Sequence, residues 1–580
     1  MEIIQGGHCN PDERARITQY GGWNTVCGAT LQSDKVVGSP EGWYDFVRVG
    51  AMRTVPKLTI TLLLFFAFSL AHPVAAAQGG ASRIEEALAR AQQLIQKGEI
   101  SAAREELART MKRSPDEPAV YNLLGVIEAQ EGNARAAESH FRKAIELAPR
   151  YEGAYENLGR LIQERGKSDP KANDAAVEIY KRLLYISPGS LEAKYQLAAL
   201  SSRKGDYRES LEYLKLLPQQ QRERAPALSL MCADYAELGD GSKAAEAARQ
   251  LIESPDLTDL AVLPILPLLM KQEAPDIAMR LLEGLDRRGL ATSAALYELG
   301  VLYERQGRLL EARAVLLRTA ELQPNSVPIL VELARVAEKQ KDHTSALSFL
   351  AHARDLEPRN ASIHFFFGMV CVQMNLVEEA YRSLKQAVEL DAKNPYHHYA
   401  MGVAAEQKSR YPEAVQHFQK YCELKPNDVR GRLALGIAYF YGYQNELARK
   451  EFDLCVQHPE TAAAAHYFLG RLANQDGNLD QALQEIQESL KRVPDFAAAY
   501  AELGNLHMKR KEYDQAEEAL KKALALEPED YQANFYLAML YARTRDPRAD
   551  EQSRAFEELK KRRSEKMKEF YRLIEIRPLG

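Results

Sequence analysis

Four histidines are the residues in this chain best suited to chemistry: His364, His397, His398 and His466. Imidazole binds transition metals and exchanges protons near neutral pH. His397 and His398 are adjacent, lie between Tyr396 and Tyr399, and have Met401 close by. A metal centre would need further ligands converging on one point. Cys232, Cys371, Cys422 and Cys455 form no C-x-x-C or zinc-like spacing, and buried free thiols are expected at these positions. There is no P-loop, G-x-S-x-G or H-E-x-x-H stretch, and no convincing strand to host one. The expectation is therefore no enzyme, no catalytic residue, no metal and no cofactor.

The histidines instead expose a period. His364, His398 and His466 are separated by 34 and 68 residues. Prolines repeat the interval at Pro115 and Pro149, and at Pro324, Pro358, Pro426, Pro494 and Pro528. With proline as position 32, units begin at Ile84, Pro118, Glu152, Leu191, Ala225, Asp259, Ser293, Val327, Ala361, Pro395, Val429, Ala463, Ala497 and Tyr531. The third is longer by five residues, and residues 167–171 are the expected insert at its inter-helix turn. In the second unit, Tyr121, Leu124, Gly125 and Glu128 fall on one helical face. After Glu131–Gly132–Asn133, the residues Ala137, Phe141 and Ala144 mark a second helix, which Pro149 ends. Position 8 is glycine in eight units (Gly125, Gly159, Gly300, Gly368, Gly402, Gly436, Gly470 and Gly504), and position 20 is commonly alanine. Small residues at both positions let paired helices approach, and position 15 is often glycine for the turn between them. The sixth unit, residues 259–292, is the weakest: Pro264 and Pro267 predict a kink in its first helix.

This pattern closely resembles the tetratricopeptide repeat family over residues 84–545, with agreement spread over about thirteen units. The resemblance implies an all-α, right-handed α-solenoid of about 13–14 helix-turn-helix units. Residues 546–580 are expected to be a charged capping helix and tail, with Phe556, Leu559, Met567 and Phe570 on its lightly apolar face. In this frame His364, His398 and His466 share position 4, an aromatic-tolerant packing position also held by Tyr121, Tyr155 and Tyr500.

The resemblance also implies that first-helix positions 2, 5, 9, 12 and 13 line a concave surface that binds protein or peptide. In the later units these carry Phe365, Met369, Tyr396, Tyr399, Gln407, Arg430, Phe440, Tyr441, Tyr467, Arg471, Asn474 and Phe535, with Leu433 and Val403 among them. Rigid aromatics interspersed with Arg and Asn suit an extended peptide or an amphipathic helix; packing between adjacent first helices is the competing expectation. The chaperone-tail pattern of Lys and Asn at positions 5 and 9 is not reproduced, since Asn122 at 5 is followed by Val126 at 9.

The N-terminal end has a different character. Residues 52–57 supply a Met and two positive charges, residues 58–71 are uncharged and apolar, and Ala75-Ala76-Ala77 offers small residues before Gln78. This is the layout of a secretory leader, with cleavage expected after Ala77. Met52 is then the expected initiator, and residues 1–51 a mis-assigned, disordered upstream extension. The alternative is an uncleaved inner-membrane anchor, the only expected membrane contact. Residues 1–77 carry six charges of each sign, so the remainder keeps the net charge of −5, and no nucleic-acid partner is expected. The expected product is an exported, periplasmic or secreted, non-enzymatic scaffold binding a protein or peptide. Competing expectations are an assembly or export factor for an envelope polymer (polysaccharide or pili), or an accessory subunit of an envelope enzyme.

Overall fold

A computed structural model describes residues 81–166, 170–271 and 274–575. The expected leader, its cleavage point after Ala77 and the upstream extension lie outside the described residues, as does most of the expected insert. Among the described residues the regular structure is entirely helical. They form two compact units, one ending at Leu322 and the other starting at Gln323.

The N-terminal unit is a series of helix pairs, such as Pro118–Gln130 with Ala134–Leu147 and Glu152–Arg165 with Pro170–Ile186. Its core gathers Val120, Val126, Phe141, Tyr155, Leu158 and Tyr180. The first helix of the sixth unit is broken into Asp259–Val262, a 3-10 turn at Leu263–Ile265, and Leu266–Lys271. Neither Pro264 nor Pro267 has an N–H to give the ladder. A smaller departure follows the short helix Tyr207–Lys215: one separate turn, Gln219–Arg222, begins after Pro218.

The C-terminal unit repeats the same pairs, from Val327–Lys339 with His343–Leu356 to Tyr531–Thr544 with Ala549–Glu575. Its core runs through Phe366, Phe418, Phe452, Tyr467, Phe468 and Ile486. In the twelfth repeat the first helix starts at Pro459, four residues before the expected Ala463. Proline is tolerated in a first turn but not inside a ladder, and the Thr461 hydroxyl donates 2.8 Å to the Cys455 carbonyl, fastening the start.

Close approach within each pair rests on position 8. A Cβ on Gly125, Gly368, Gly402, Gly436 or Gly504 would lie 2.5–2.7 Å from Phe141, Leu384, Phe418, Phe452 or Leu520 respectively. Gly159 meets Tyr180 instead, five residues later than elsewhere, as the longer third repeat requires. The inter-helix turn needs a left-handed residue at position 15. Gly132, Gly205, Gly239, Gly307 and Gly477 supply it, and Lys341, Asn375, Ser409, Tyr443 and Lys511 adopt the same positive φ without being glycine.

Candidate functional site

The histidines prove to be hydrogen-bonding struts, more specific than the packing residues expected at position 4. Tyr121 and Tyr155 donate their hydroxyls to the carbonyls of Pro115 and Pro149, at 3.1 and 3.2 Å. His364 and His398 bond through Nε2 to the Pro358 and Ala392 carbonyls, both at 3.0 Å. Asn534 donates to the Pro528 carbonyl at 3.0 Å. All five reach six residues back, into the turn two residues beyond the end of the preceding helix. In these five repeats position 4 carries a long side chain that ties the first helix to that turn.

If His398 Nε2–H donates to Ala392, its Nδ1 must accept, and His417 Nδ1 stands 3.1 Å away as the donor. His397 bonds the Asp391 carbonyl through Nδ1 at 3.1 Å, and Asn394 donates to its Nε2 at 3.0 Å. Burial lowers the His397 pKa, and burial with the neighbouring His398 lowers that of His417, so both favour the neutral ring. His466 pairs with Glu485 at 2.7 Å. No group of three metal-ligating side chains occurs among the described residues. Cys232, Cys371 and Cys455 are buried free thiols and Cys422 is half-buried. Burial pushes the Cys232 thiol up to about 12, far from a reactive thiolate.

The expected groove residues lie mainly in the C-terminal unit's first helices, and successive helices touch through them. Gln407 donates to the Val372 carbonyl at 3.5 Å, Arg471 to the Tyr441 hydroxyl at 3.2 Å, and Asn474 to Glu502 at 2.5 Å. These bonds place positions 9, 12 and 13 on one shared face. The face is more closed than the sequence implied. Phe365 and Phe440 are each only 3 % exposed, and Tyr467 is wholly buried against Phe468 and Phe496. These three rings fill space between neighbouring first helices, so they cannot present their faces to a ligand as expected. Phe535 is half-buried under the C-terminal helix, with Phe556 5.7 Å away, centre to centre. Arg430 is engaged by the cap of its own helix: Nε and Nη2 grip the two Asp428 oxygens at 2.8 and 2.6 Å. Asn474 is bound on both sides, by Glu502 and by the Lys509 ammonium.

Met369, Tyr396, Tyr399 and Tyr441 remain half-buried. Tyr399 sits edge-on to Phe418 and Tyr421, while Tyr396 lies 5.4 Å below the Lys425 ammonium. Position 6 contributes too: Phe468 packs on Phe440 and Tyr467, and Glu502 accepts from Asn474. Alanine at that position in the tenth and eleventh repeats, Ala400 and Ala434, hides it as a repeating signal.

Comparison with known proteins fits this geometry. Tetratricopeptide repeat models match residues 88–152, 169–235, 266–327, 337–403, 433–500 and 497–530. The chain belongs to the tetratricopeptide repeat family. This family's fold is typically a non-catalytic scaffold for protein–protein interaction. Among solved structures, the APC/C hetero-tetramer Cut9–Hcn1 is 16% identical, covering 74% of this chain and 91% of its own, with a TM-score of 0.33. PilF of Pseudomonas aeruginosa is 22% identical over 35% of this chain and 92% of its own, with a TM-score of 0.31. A curated Pseudomonas putida protein, "Probable biofilm formation methyltransferase WspC", is 33% identical over 96 residues. That match covers 17% of this tetratricopeptide repeat chain and 23% of the relative's length. Among the described residues, no helix is long and apolar enough to cross a membrane.

Proposed function

We propose that this chain is a non-enzymatic scaffold that captures an extended peptide segment of a partner protein along the first-helix face of its C-terminal unit. The observation carrying this reading is that Met369, Tyr396, Tyr399 and Tyr441, from three successive first helices, are only half-buried. Rigid aromatics with little rotamer freedom are effective contact residues. Capture by crosslinking from an envelope fraction, read by mass spectrometry, supplies the partner. The double variant Met369→Ala/Tyr396→Ala is expected to weaken that capture by about tenfold with helicity unchanged. Equal capture by variant and wild type sinks the groove.

We also propose that the scaffold works in a bacterial envelope, on the strength of the tripartite segment at residues 52–77. The intact mass of the exported protein is expected to correspond to a chain starting at Gln78. A chain retaining residues 1–77 would refute cleavage.

A further inference from the structure

Repeats nine and ten are joined by the turn from Asp391 to Asn394, and two adjacent imidazoles fasten it. Pro395 has no N–H, so Tyr396 carries the first free donor of the following helix. Asn394 Oδ1 accepts that N–H at 3.0 Å. The cap fixes the Asn394 amide, and its NH2 group faces His397 Nε2, 3.0 Å away. An amide NH2 only donates, so Nε2 must accept. His397 Nδ1–H then donates to the Asp391 carbonyl at 3.1 Å. Both ring nitrogens are satisfied in one form alone, the neutral ring with its proton on Nδ1. The ring is buried against Phe365 of the preceding first helix, 5.2 Å between centres.

His398 repeats the arrangement one residue on. Its Nε2 ties the Ala392 carbonyl, and its Nδ1 stands 3.1 Å from His417 Nδ1 on the paired helix. That gap holds one hydrogen; a proton on both nitrogens would set two N–H groups head to head. Burial disfavours the charged form of His397; the Asp391 carbonyl and carboxylate oppose it, and His398 adds to it. Burial and His398 act likewise on His417, opposed by Glu413 of its own helix. Tyr381, from the second helix of repeat nine, donates to both Glu413 oxygens, at 2.7 and 3.0 Å. Lys425, just past the end of the paired helix, stands over the Tyr396 ring.

We infer that Asn394, His397, His398 and His417 form an acid-sensitive latch, closed by neutral imidazoles, that holds the start of the tenth repeat's first helix against the preceding turn. A proton arriving at His397 Nε2 meets the Asn394 NH2 group and displaces it. The amide cannot turn over to accept without giving up the Tyr396 cap. A proton arriving at His398 Nδ1 displaces His417. In either case the turn loses a bond and a charge is enclosed, so the segment opens to hydrate it. The closed state binds fewer protons than the open one below the ordinary imidazole value of about 6.5. Closure is therefore complete above that pH and weakens as pH falls through it. Tyr396 and Tyr399 stand on this same first turn. Acid release of a bound peptide rests on the peptide-binding reading above; the latch does not.

The test is hydrogen exchange of the full-length protein at pH 7.5 and 5.0, with each rate corrected for the intrinsic dependence of exchange on pH. Residues 429–436 serve as the reference, because the eleventh repeat has Arg432 at position 4 and no histidine in that helix start. Protection over residues 396–402 is expected to fall about thirtyfold relative to the reference. That is the factor one histidine supplies over this interval when its closed form takes no proton. Two variants borrow from the chain's own repeats. His397→Ile copies Ile363, at position 3 of repeat nine, where Asn360 caps in the same way. His398→Tyr copies Tyr121 and Tyr155, whose hydroxyls tie the same turn without titrating in this range. His397→Ile should remove most of the fall. His398→Tyr should remove part of it, and it tests the latch even if His397→Ile fails to fold. An equal change at both helix starts in wild type, or a fall that both variants retain in full, overturns the latch. Either result leaves the peptide face standing, since the capture experiment above decides that separately.

Discussion

Gly402→Val will destabilise the tenth repeat by about 3 kcal/mol, the upper end of what overpacking a close-packed interior costs. The first carbon of the new side chain would lie 2.6 Å from Phe418 Cε1 and 2.8 Å from Cδ1 and Cζ. Phe418 is completely buried, so its ring has nowhere to swing. The paired helices Pro395–Gln407 and Tyr411–Leu424 would have to separate. Loss should appear first as faster amide exchange across residues 395–424, because repeats stabilise mainly their neighbours. Phe418→Ala opens the space, at a cost of about 3–5 kcal/mol alone. The double variant is expected to lose less than the sum of the two by about 1–3 kcal/mol. Strict additivity in denaturant melts would show that Gly402 and Phe418 do not set the helix separation.

The second large effect concerns Asp234 in the N-terminal unit. Its side chain has no solvent exposure, and the Ser202 hydroxyl donates to it at 2.5 Å. Burial pushes its pKa up from 3.8 to about 6, with the Glu237 charge adding to the rise. The folded carboxyl therefore holds its proton more tightly than the unfolded one. Stability is greatest where both states are protonated, below about pH 4, and falls as pH rises through about 6. A difference of about two pH units corresponds to about 3 kcal/mol. Asp234→Asn, which keeps shape and still accepts from Ser202, should raise stability at pH 7.5 by about 2–3 kcal/mol. Near pH 4 it should change little. Urea melts of the two proteins at both pH values decide the matter, and an equal gain at both would remove the ionisation argument.

Both effects depend on positions that differ in how far the chain alone reveals them. Gly402 was legible: eight glycines at position 8 could only mean two helices in close approach. The break at Pro264 and Pro267 and the late arrival of Tyr180 were legible too, because proline chemistry and repeat length are local or periodic facts. His364 and His398 were placed correctly on a packed face, but their acceptors lie in the turn after the preceding helix, and only the approach of that turn shows what a donor does there. The expected groove was legible only as a set of first-helix positions. Phe365, Phe440 and Tyr467 fall on the expected positions, yet neighbouring side chains cover them. Arg430 is held by Asp428, and Phe535 by the C-terminal helix.

The sequence by itself determined the period of 34, the helix pairs, the tight and permissive points within them, and the family. These follow from side-chain size, backbone freedom and proline, which act at the residue that carries them. Only the tertiary structure decided which aromatics remain partly open and why Asp234 holds its proton. Exposure and electrostatic environment belong to the neighbours a residue meets, and those come from other helices.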